Sequence, residues 1–356
     1  MKSDDPEFCG SAAQLVLLGA VRAWTAEATA TPGLFQGGRL IGIDDLETLG
    51  DAAALRVFEA MGAVIVKFIP GENEAGFRER FAAPERRFTA WDVFVGGNEA
   101  RRISSAYVEA FVLPDGWLLA GLSAEAPAET IAEIQTLQEL CGVAPVPGYY
   151  QRGHAVPAVV SVLSDETGKI AATAQAYARH HADGPWAGHI FCGMVAVHPD
   201  HRRKGLGTLI NASVITNAFA QLECTHVYEH AASDNLPSRA MIEASGLRRD
   251  NRYRCVMLHD ARRFGEYFTN YIGSGRQHVI QSVQGVIDII GADIKMRHRA
   301  EPLRTGDADA HPVFRQQFLV QILRRHPAFI DGEINHVGLR LTEFQRQAID
   351  IGNALG

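Results

Sequence analysis

The stretch that decides the reading is Gly193-Met194-Val195-Ala196-Val197-His198-Pro199-Asp200-His201-Arg202-Arg203-Lys204-Gly205-Leu206-Gly207-Thr208. An apolar strand pattern over 190–197 is interrupted only by Gly193, a basic loop follows, and Ile210, Val214, Ala218 and Leu222 then recur one helical turn apart. The first N–H groups of a helix have no intrahelical partner, and with the positive end of the dipole they form an anion site. Gly205 and Gly207 lack a Cβ, so a phosphate can approach the main chain there. Arg202, Arg203 and Lys204 add positive charge beside it. Spacing excludes two common phosphate loops. A Walker loop needs GxxxxGK[ST], whereas Lys204 precedes the glycines; a dinucleotide fingerprint needs GxGxxG after the first strand of a βαβ unit, and this loop lies deep in an antiparallel-looking series.

What remains, R-x-x-G-x-G after a V-x-V strand, resembles the pyrophosphate loop [QR]-x-x-G-x-[GA] of the GCN5-related N-acetyltransferases, the GNAT superfamily. Asn235-Leu236-Pro237-Ser238 and Gly246-Leu247 are similar to that family's later N-x-x-A … G-F segment. The resemblance covers residues 104–258, where the pattern reads strand, helix, hairpin, long strand, loop, helix, strand, helix, strand. It implies an α/β (α+β) GNAT fold: a mixed, mostly antiparallel sheet with splayed central strands. Residues 104–262 form the GNAT domain in this reading. Residues 1–103 are an N-terminal α/β region of unassigned role, and 263–356 a helical C-terminal region. The flanks stay open as a degenerate second copy of the fold, a lid over the acceptor pocket, or a homodimer interface.

By the same resemblance, acetyl-CoA is the co-substrate and lies where the parallel strands 190–197 and 225–229 part. The main chain of Val195, Ala196 and Val197 would pair with its pantetheine arm. The pyrophosphate would sit on the amides of Arg203, Lys204, Gly205, Leu206, Gly207 and Thr208 beside Arg202, and Asn235 would touch the cofactor. Gly193 inside the strand is read either as a bulge that opens the gap or as close packing.

The implied reaction is direct attack of a small-molecule primary amine on the thioester in a ternary complex. It needs a base, a donor for the carbonyl oxygen and an acid for the thiolate. Here the sequence departs from the family. The tyrosine usually found seven residues after the asparagine is Ile242, and the usual strand positions for a Glu or His base are Phe191 and Gly193. Glu229 is the leading candidate base, because Tyr228-Glu229-His230-Ala231-Ala232-Ser233-Asp234-Asn235 is similar, with one extra residue, to the L-E-V-R-x-S-N stretch of ribosomal-protein acetyltransferases. His189 is the second candidate. Tyr149 and Tyr150, followed by Gln151 and Arg152, are read as acceptor-pocket residues or as a structural corner. The alternatives are a protein or peptide N-acetyltransferase and a non-catalytic acyl-CoA-binding module.

The chain has 356 residues, 47% hydrophobic and 21% charged, with a net charge of −7, which excludes wholesale disorder and argues against nucleic acid as a partner. No apolar run approaches the ~18 residues of a membrane span, and the acidic start Asp4-Asp5-Pro6-Glu7 does not suit a signal peptide, so a cytoplasmic protein with no membrane partner is expected. Cys9, Cys141, Cys192, Cys224 and Cys255 contain no CxxC pair, so neither a disulfide framework nor a metal site is expected. Further local readings are a hairpin of 106–113 with 117–122, a surface helix or loop at 77–87, and apolar helical stripes at 279–290, 314–323 and 341–351.

Overall fold

The computed structural model describes residues 12–261, and the helical region expected over 263–356 lies outside them. The chain order is α1 (Ala12–Ala23), α2 (Thr25–Ala30), β1 (Leu34–Gln36), β2 (Ile41–Ile43), α3 (Leu46–Met61), β3 (Ala63–Pro70), α4 (Glu74–Arg80), β4 (Arg86–Gly96), α5 (Asn98–Ala110) and β5 (Leu118–Gly121). There follow α6 (Ala128–Leu140), α7 (Gly148–Gln151), β6 (Ala158–Ser164), β7 (Ile170–Tyr177), β8 (His189–Val197), α8 (Leu206–Gln221), β9 (His226–Ala231), α9 (Leu236–Ala244) and β10 (Arg248–Asp260).

The strands make one ten-stranded sheet in the order β1-β2-β3-β10-β4-β9-β8-β7-β6-β5. β2–β3 and β8–β9 are parallel, and the other neighbours are antiparallel. Alternation along the strands buries different residues on the two faces. Ala172, Ala174 and Ala176 of β7 and Ile190 and Cys192 of β8 pack under Leu209, Ile210 and Val214 of α8. Val160, Val162, Ile170 and Ala196 face the other way, against Ile134 and Leu137 of α6. Each Val, Leu or Ile among them contributes about 2 kcal/mol by leaving water. Helix α8 is apolar nearly all round because α5 covers its other side, as an enclosed helix requires.

One local reading is corrected. Residues 106–113 are no strand: α5 runs to Ala110, with Ala100 and Ser104 buried and Tyr107, Val108 and Phe111 packed on the core at three- and four-residue spacing. The partner of β5 is therefore β6, not a strand before it. The 77–87 segment is a surface helix and loop as expected, anchored by Phe77 and Phe81, which are each 1% exposed with ring centroids 4.7 Å apart. The boundary expected between 103 and 104 falls inside α5, and β4, from the first hundred residues, lies between β10 and β9.

Candidate active site

β8 and β9 pair in parallel only from His189 to Phe191 against His226 to Tyr228. Beyond that point the two strands part, leaving the β9-side edge of 193–197 without a strand partner. One cause is visible in the register with β7: Thr173 faces Ala196 but Gln175 faces Gly193, so β8 carries an extra residue, with φ of 152° at Gly193 and 54° at Met194. This is a bulge, and a bulge bends and twists its strand. His198 donates its N–H to Ala171 beside β7, so by strand alternation the N–H groups of Val195 and Val197 face the gap.

The gap leads to the basic loop. A short 3-10 turn at Pro199–His201 is followed by Arg203 with φ 61° and by Gly205 with φ 78° as the residue before α8. These left-handed residues turn the chain so that the first amides of α8 point out of the helix start towards the gap, the geometry of an anion nest. Tyr107 and Phe111 of α5 brace the loop: a Cβ on Gly205 would meet the Tyr107 hydroxyl and the Phe111 ring, each at 3.2 Å. Gly207 is different, because a Cβ there would meet only Met241 Sδ at 3.6 Å and Val197 Cγ2 at 3.9 Å, ordinary contacts. The protein packing therefore needs a glycine at 205 and does not need one at 207.

The face away from α8, called the concave face below, carries a polar cluster. Tyr228 Oη lies 2.5 Å from Lys67 Nζ, 2.6 Å from His180 Nε2 and 3.2 Å from Arg179 Nε. Lys67 and Arg179 donate to the phenol oxygen, which leaves its own proton for His180 Nε2, and His180 Nδ1 in turn bonds Asp44 Oδ2. Burial raises the Asp44 carboxyl to about 7 against the pull of Lys67. Burial, with Lys67 and Arg179 nearby, holds the His180 imidazole well below its usual range. The Phe191 ring, 5.6 Å from Tyr228 and 5.7 Å from His230, sits at the centre of this face. His230 Nε2 is buried without a partner among the described residues, and burial beside Lys67 and Arg179 keeps the ring neutral.

Residues 130–247 match the family model described as Acetyltransferase (GNAT) family. They form a GNAT acetyltransferase domain. That family's reaction is acyl transfer from acetyl-CoA. No curated protein matches the chain. Among solved structures, the chain is similar to a tandem GNAT protein from the clavulanic acid biosynthesis pathway, at 17% identity over 64% of this chain and 76% of that one, TM-score 0.43. It is also similar to a GCN5-related N-acetyltransferase from Kribbella flavida, at 14% identity over 69% and 95%, TM-score 0.42. A third, from Sphaerobacter thermophilus, shares 13% identity over 62% and 73%, TM-score 0.39.

Within the GNAT domain the expected cofactor residues Val195, Ala196, Val197 and Arg202 to Thr208 lie on one continuous path from the gap to the start of α8. Arg202 folds back, its Nε donating to Val197 O at 3.2 Å. Asn235 caps α9, accepting from Ser238 N at 3.2 Å. The two candidate bases lie apart from the concave face. Glu229 points towards α8, 2% exposed, with Asn211 Nδ2 donating to its Oε1 at 2.8 Å. Burial raises its carboxyl to about 7, with the Asn211 hydrogen bond opposing. His189, at the paired end of β8, stacks on His226 at 4.9 Å. Tyr150 reaches the concave face, donating to Gln36 O at 2.8 Å with its ring tilted 43° against that of Tyr177 at 4.4 Å, whereas Tyr149 lies under Arg22. The arginine beside Tyr150 is Arg179, because Arg152 donates to Ala126 O instead.

Sequence reasoning passed over Lys67, Asp44, Arg179, His180, Tyr228 and His230. One signal was available for His230. Glu229 sits between the apolar Val227 and Ala231 at two-residue spacing, so a half-buried strand places it on the helix face and its neighbours Tyr228 and His230 on the other. Among the described residues no helix is long and apolar enough to cross a membrane, and no group of three or more His, Cys, Asp and Glu is placed to hold a metal.

Proposed function

We propose that the protein transfers the acetyl group of acetyl-CoA to the primary amine of a small molecule within a ternary complex, the cofactor lying across the β8–β9 gap and the acceptor on the concave face against Phe191. The observation that carries this reading is the end of the β8–β9 pairing at Phe191 and Tyr228, directly ahead of the left-handed loop that opens α8. The free N–H groups of Val195 and Val197 suit a pantetheine amide and the thioester oxygen. The main chain that opens α8 after the left-handed Gly205, with Arg202, Arg203 and Lys204 beside it, suits a diphosphate.

His230 is the base in this proposal. It is neutral, its Nε2 has no partner among the described residues, and its ring adjoins Phe191, the position at which the family resemblance puts the base. Its Nε2 takes the proton of the attacking amine as the N–C bond forms. When the C–S bond breaks, the imidazolium returns that proton to the thiolate, so no separate acid is needed in place of the missing tyrosine. The test is calorimetry with CoA and a thiol-release assay with acetyl-CoA over a panel of primary amines. Binding of CoA with amine-dependent thiol release supports the reading, and failure of CoA to bind sinks it. Binding without release from any amine, peptides included, leaves an acyl-CoA-binding module in its place.

A further inference from the structure

Lys67 is 2% exposed, and among the described residues neither it nor Arg179 has a carboxylate within ion-pair distance. Both instead stand over the same rings: Lys67 Nζ is 4.5 Å from the Phe35 centroid and 4.9 Å from that of Phe191, and Arg179 Cζ is 5.1 and 3.8 Å from them. Buried cations are ordinarily paired. The acid in this cluster is Asp44, already bound to His180. The cluster thus holds two cationic side chains against one carboxyl. The other titratable groups facing it, His180, His189, Tyr228, His230 and Cys255, supply no further negative charge, being neutral in their buried settings. Burial, and then the neighbouring Arg179, lowers the Lys67 pKa, so its charge is held at a cost that an incoming anion would relieve.

Lys67 is aimed here by a distortion. Arg254 faces Ile69 but Val256 faces Val66, so β3 carries an extra residue at 67–68, and Phe68 has φ of 55°. A left-handed phenylalanine costs about 1–2 kcal/mol. The distortion turns Lys67 and Phe68 to the same face, where Phe68 stacks on Trp186 at 3.6 Å. Backbone strain of this kind gathers at ligand sites. A further unused donor is Gln175 on β7, whose Oε1 accepts from the Tyr177 hydroxyl while its Nε2 is buried without a partner among the described residues.

We propose that the acceptor amine carries a carboxylate and that Lys67 and Arg179 hold that carboxylate beside Phe191, on the face where His230 meets the amine; this rests on the acyl-transfer reading above. A carboxylate brings the single negative charge that the cluster lacks, whereas a phosphate dianion would overshoot it. Arg179 presents a planar fork that matches two carboxylate oxygens, and Lys67 a point charge. Arg179 and His230 lie against one ring, that of Phe191, so one small molecule can touch both.

The experiment uses the full chain with CoA bound, and amines that carry a carboxylate (the common amino acids, ω-amino acids and aminobenzoates), each paired with its carboxamide. Thermal shift and calorimetry read binding, and thiol release reads turnover. The expected result is that a carboxylate member is preferred over its amide by about tenfold or more, the strength of charge-assisted hydrogen bonds. Arg179→Gln should erase that preference with CoA affinity unchanged, and Arg179→Lys should restore part of it. Lys67→Met should raise the Tm of the free protein, by removing an unpaired buried charge, and cancel the further rise that the carboxylate produces. Amides bound as well as acids, no carboxylate bound at all, or Arg179→Gln weakening both equally would overturn the inference. CoA binding is read separately, so its failure would count against the acyl-transfer reading instead.

Discussion

The two faces of β9 carry buried polar groups that differ in one respect. On the helix face Glu229 meets Asn211, Asn211 Nδ2 also reaches Ser245 Oγ at 3.2 Å, and Ser104 donates to Ser245 O at 2.8 Å. That network joins β9 to α8 and α5, has every side-chain donor matched and leaves only the acceptor Asn211 Oδ1 over among the described residues. On the concave face the hydrogen bonds run from Lys67 and Arg179 through Tyr228 and His180 to Asp44, yet two cationic side chains share one carboxyl and His230 Nε2 has no partner among the described residues. A network with its charges and donors matched holds strands and helices together. One left short of an anion and of a proton donor is arranged for something that comes and goes.

The difference is sharpened first at the entrance shared by both faces. Gly207→Trp should abolish CoA binding in calorimetry, with circular dichroism reading the fold alongside, because a bulky side chain at the second residue of α8 crowds the amides that open the helix. Gly207→Ala should keep CoA affinity within about threefold, since its Cβ meets only ordinary contacts. Gly205 is a poorer probe. Its φ of 78° and the 3.2 Å approaches of Tyr107 and Phe111 mean that any side chain there strains the loop itself.

Next in size is His230→Gln, which should lower kcat by about a hundredfold or more with little change in CoA affinity. Burial and the nearby cations depress the His230 pKa, so in the wild type kcat/KM should rise through a pH below the usual histidine range and stay level above it. An unchanged kcat would remove His230 from the mechanism.

The third prediction breaks the comparison if it fails. The Glu229 carboxyl is raised to about 7 in the folded chain from an ordinary 4.5, so the native state binds the proton more tightly than the unfolded one. Its contribution to stability is complete below about pH 4.5 and is lost as pH rises through about 7. Glu229→Gln should therefore match the wild type in acid and exceed it by about 3 kcal/mol at pH 8 in denaturant unfolding, with activity retained. The new amide can also donate to Asn211 Oδ1, which is buried without a partner among the described residues. Loss of activity without a gain in stability would return Glu229 to the role of base.

These contrasts explain what was legible in the sequence. The anion loop is local: strand, basic turn, glycines and helix start follow one another, and the chemistry survives without knowledge of the fold. The bulge at Gly193 was one of two readings of that glycine, and the parting of β8 from β9 came from the family resemblance and not from local spacing. The concave cluster is assembled from Asp44 after β2, Lys67 on β3, Arg179 and His180 after β7 and Tyr228 on β9, and no spacing joins them. The net charge of −7 over the whole chain gives no sign of the two cationic side chains gathered on this face. The α5 misreading has a narrower cause. Residues 106–113 are almost all apolar or aromatic, and a run of eight such residues fits a strand until the helical spacing back to Ala100 is included.

The smallest effect is at Asn235, where two roles can be separated. Its Oδ1 accepts from Ser238 N and so caps α9, and loss of such a cap costs about 1 kcal/mol. Asn235→Asp keeps an acceptor at the same place and should leave stability nearly unchanged, whereas Asn235→Ala should lower it by that amount in denaturant unfolding. If the residue only caps, CoA affinity follows stability: the aspartate variant binds as the wild type does, and the alanine variant is weakened by less than about threefold through fraying of α9. If Asn235 also donates through Nδ2 to the cofactor, the aspartate variant loses that donor and sets a carboxylate near a polyanion. CoA affinity then falls further in the aspartate than in the alanine variant while stability runs the other way. Calorimetry on the two variants therefore decides between the roles by the order of the affinities.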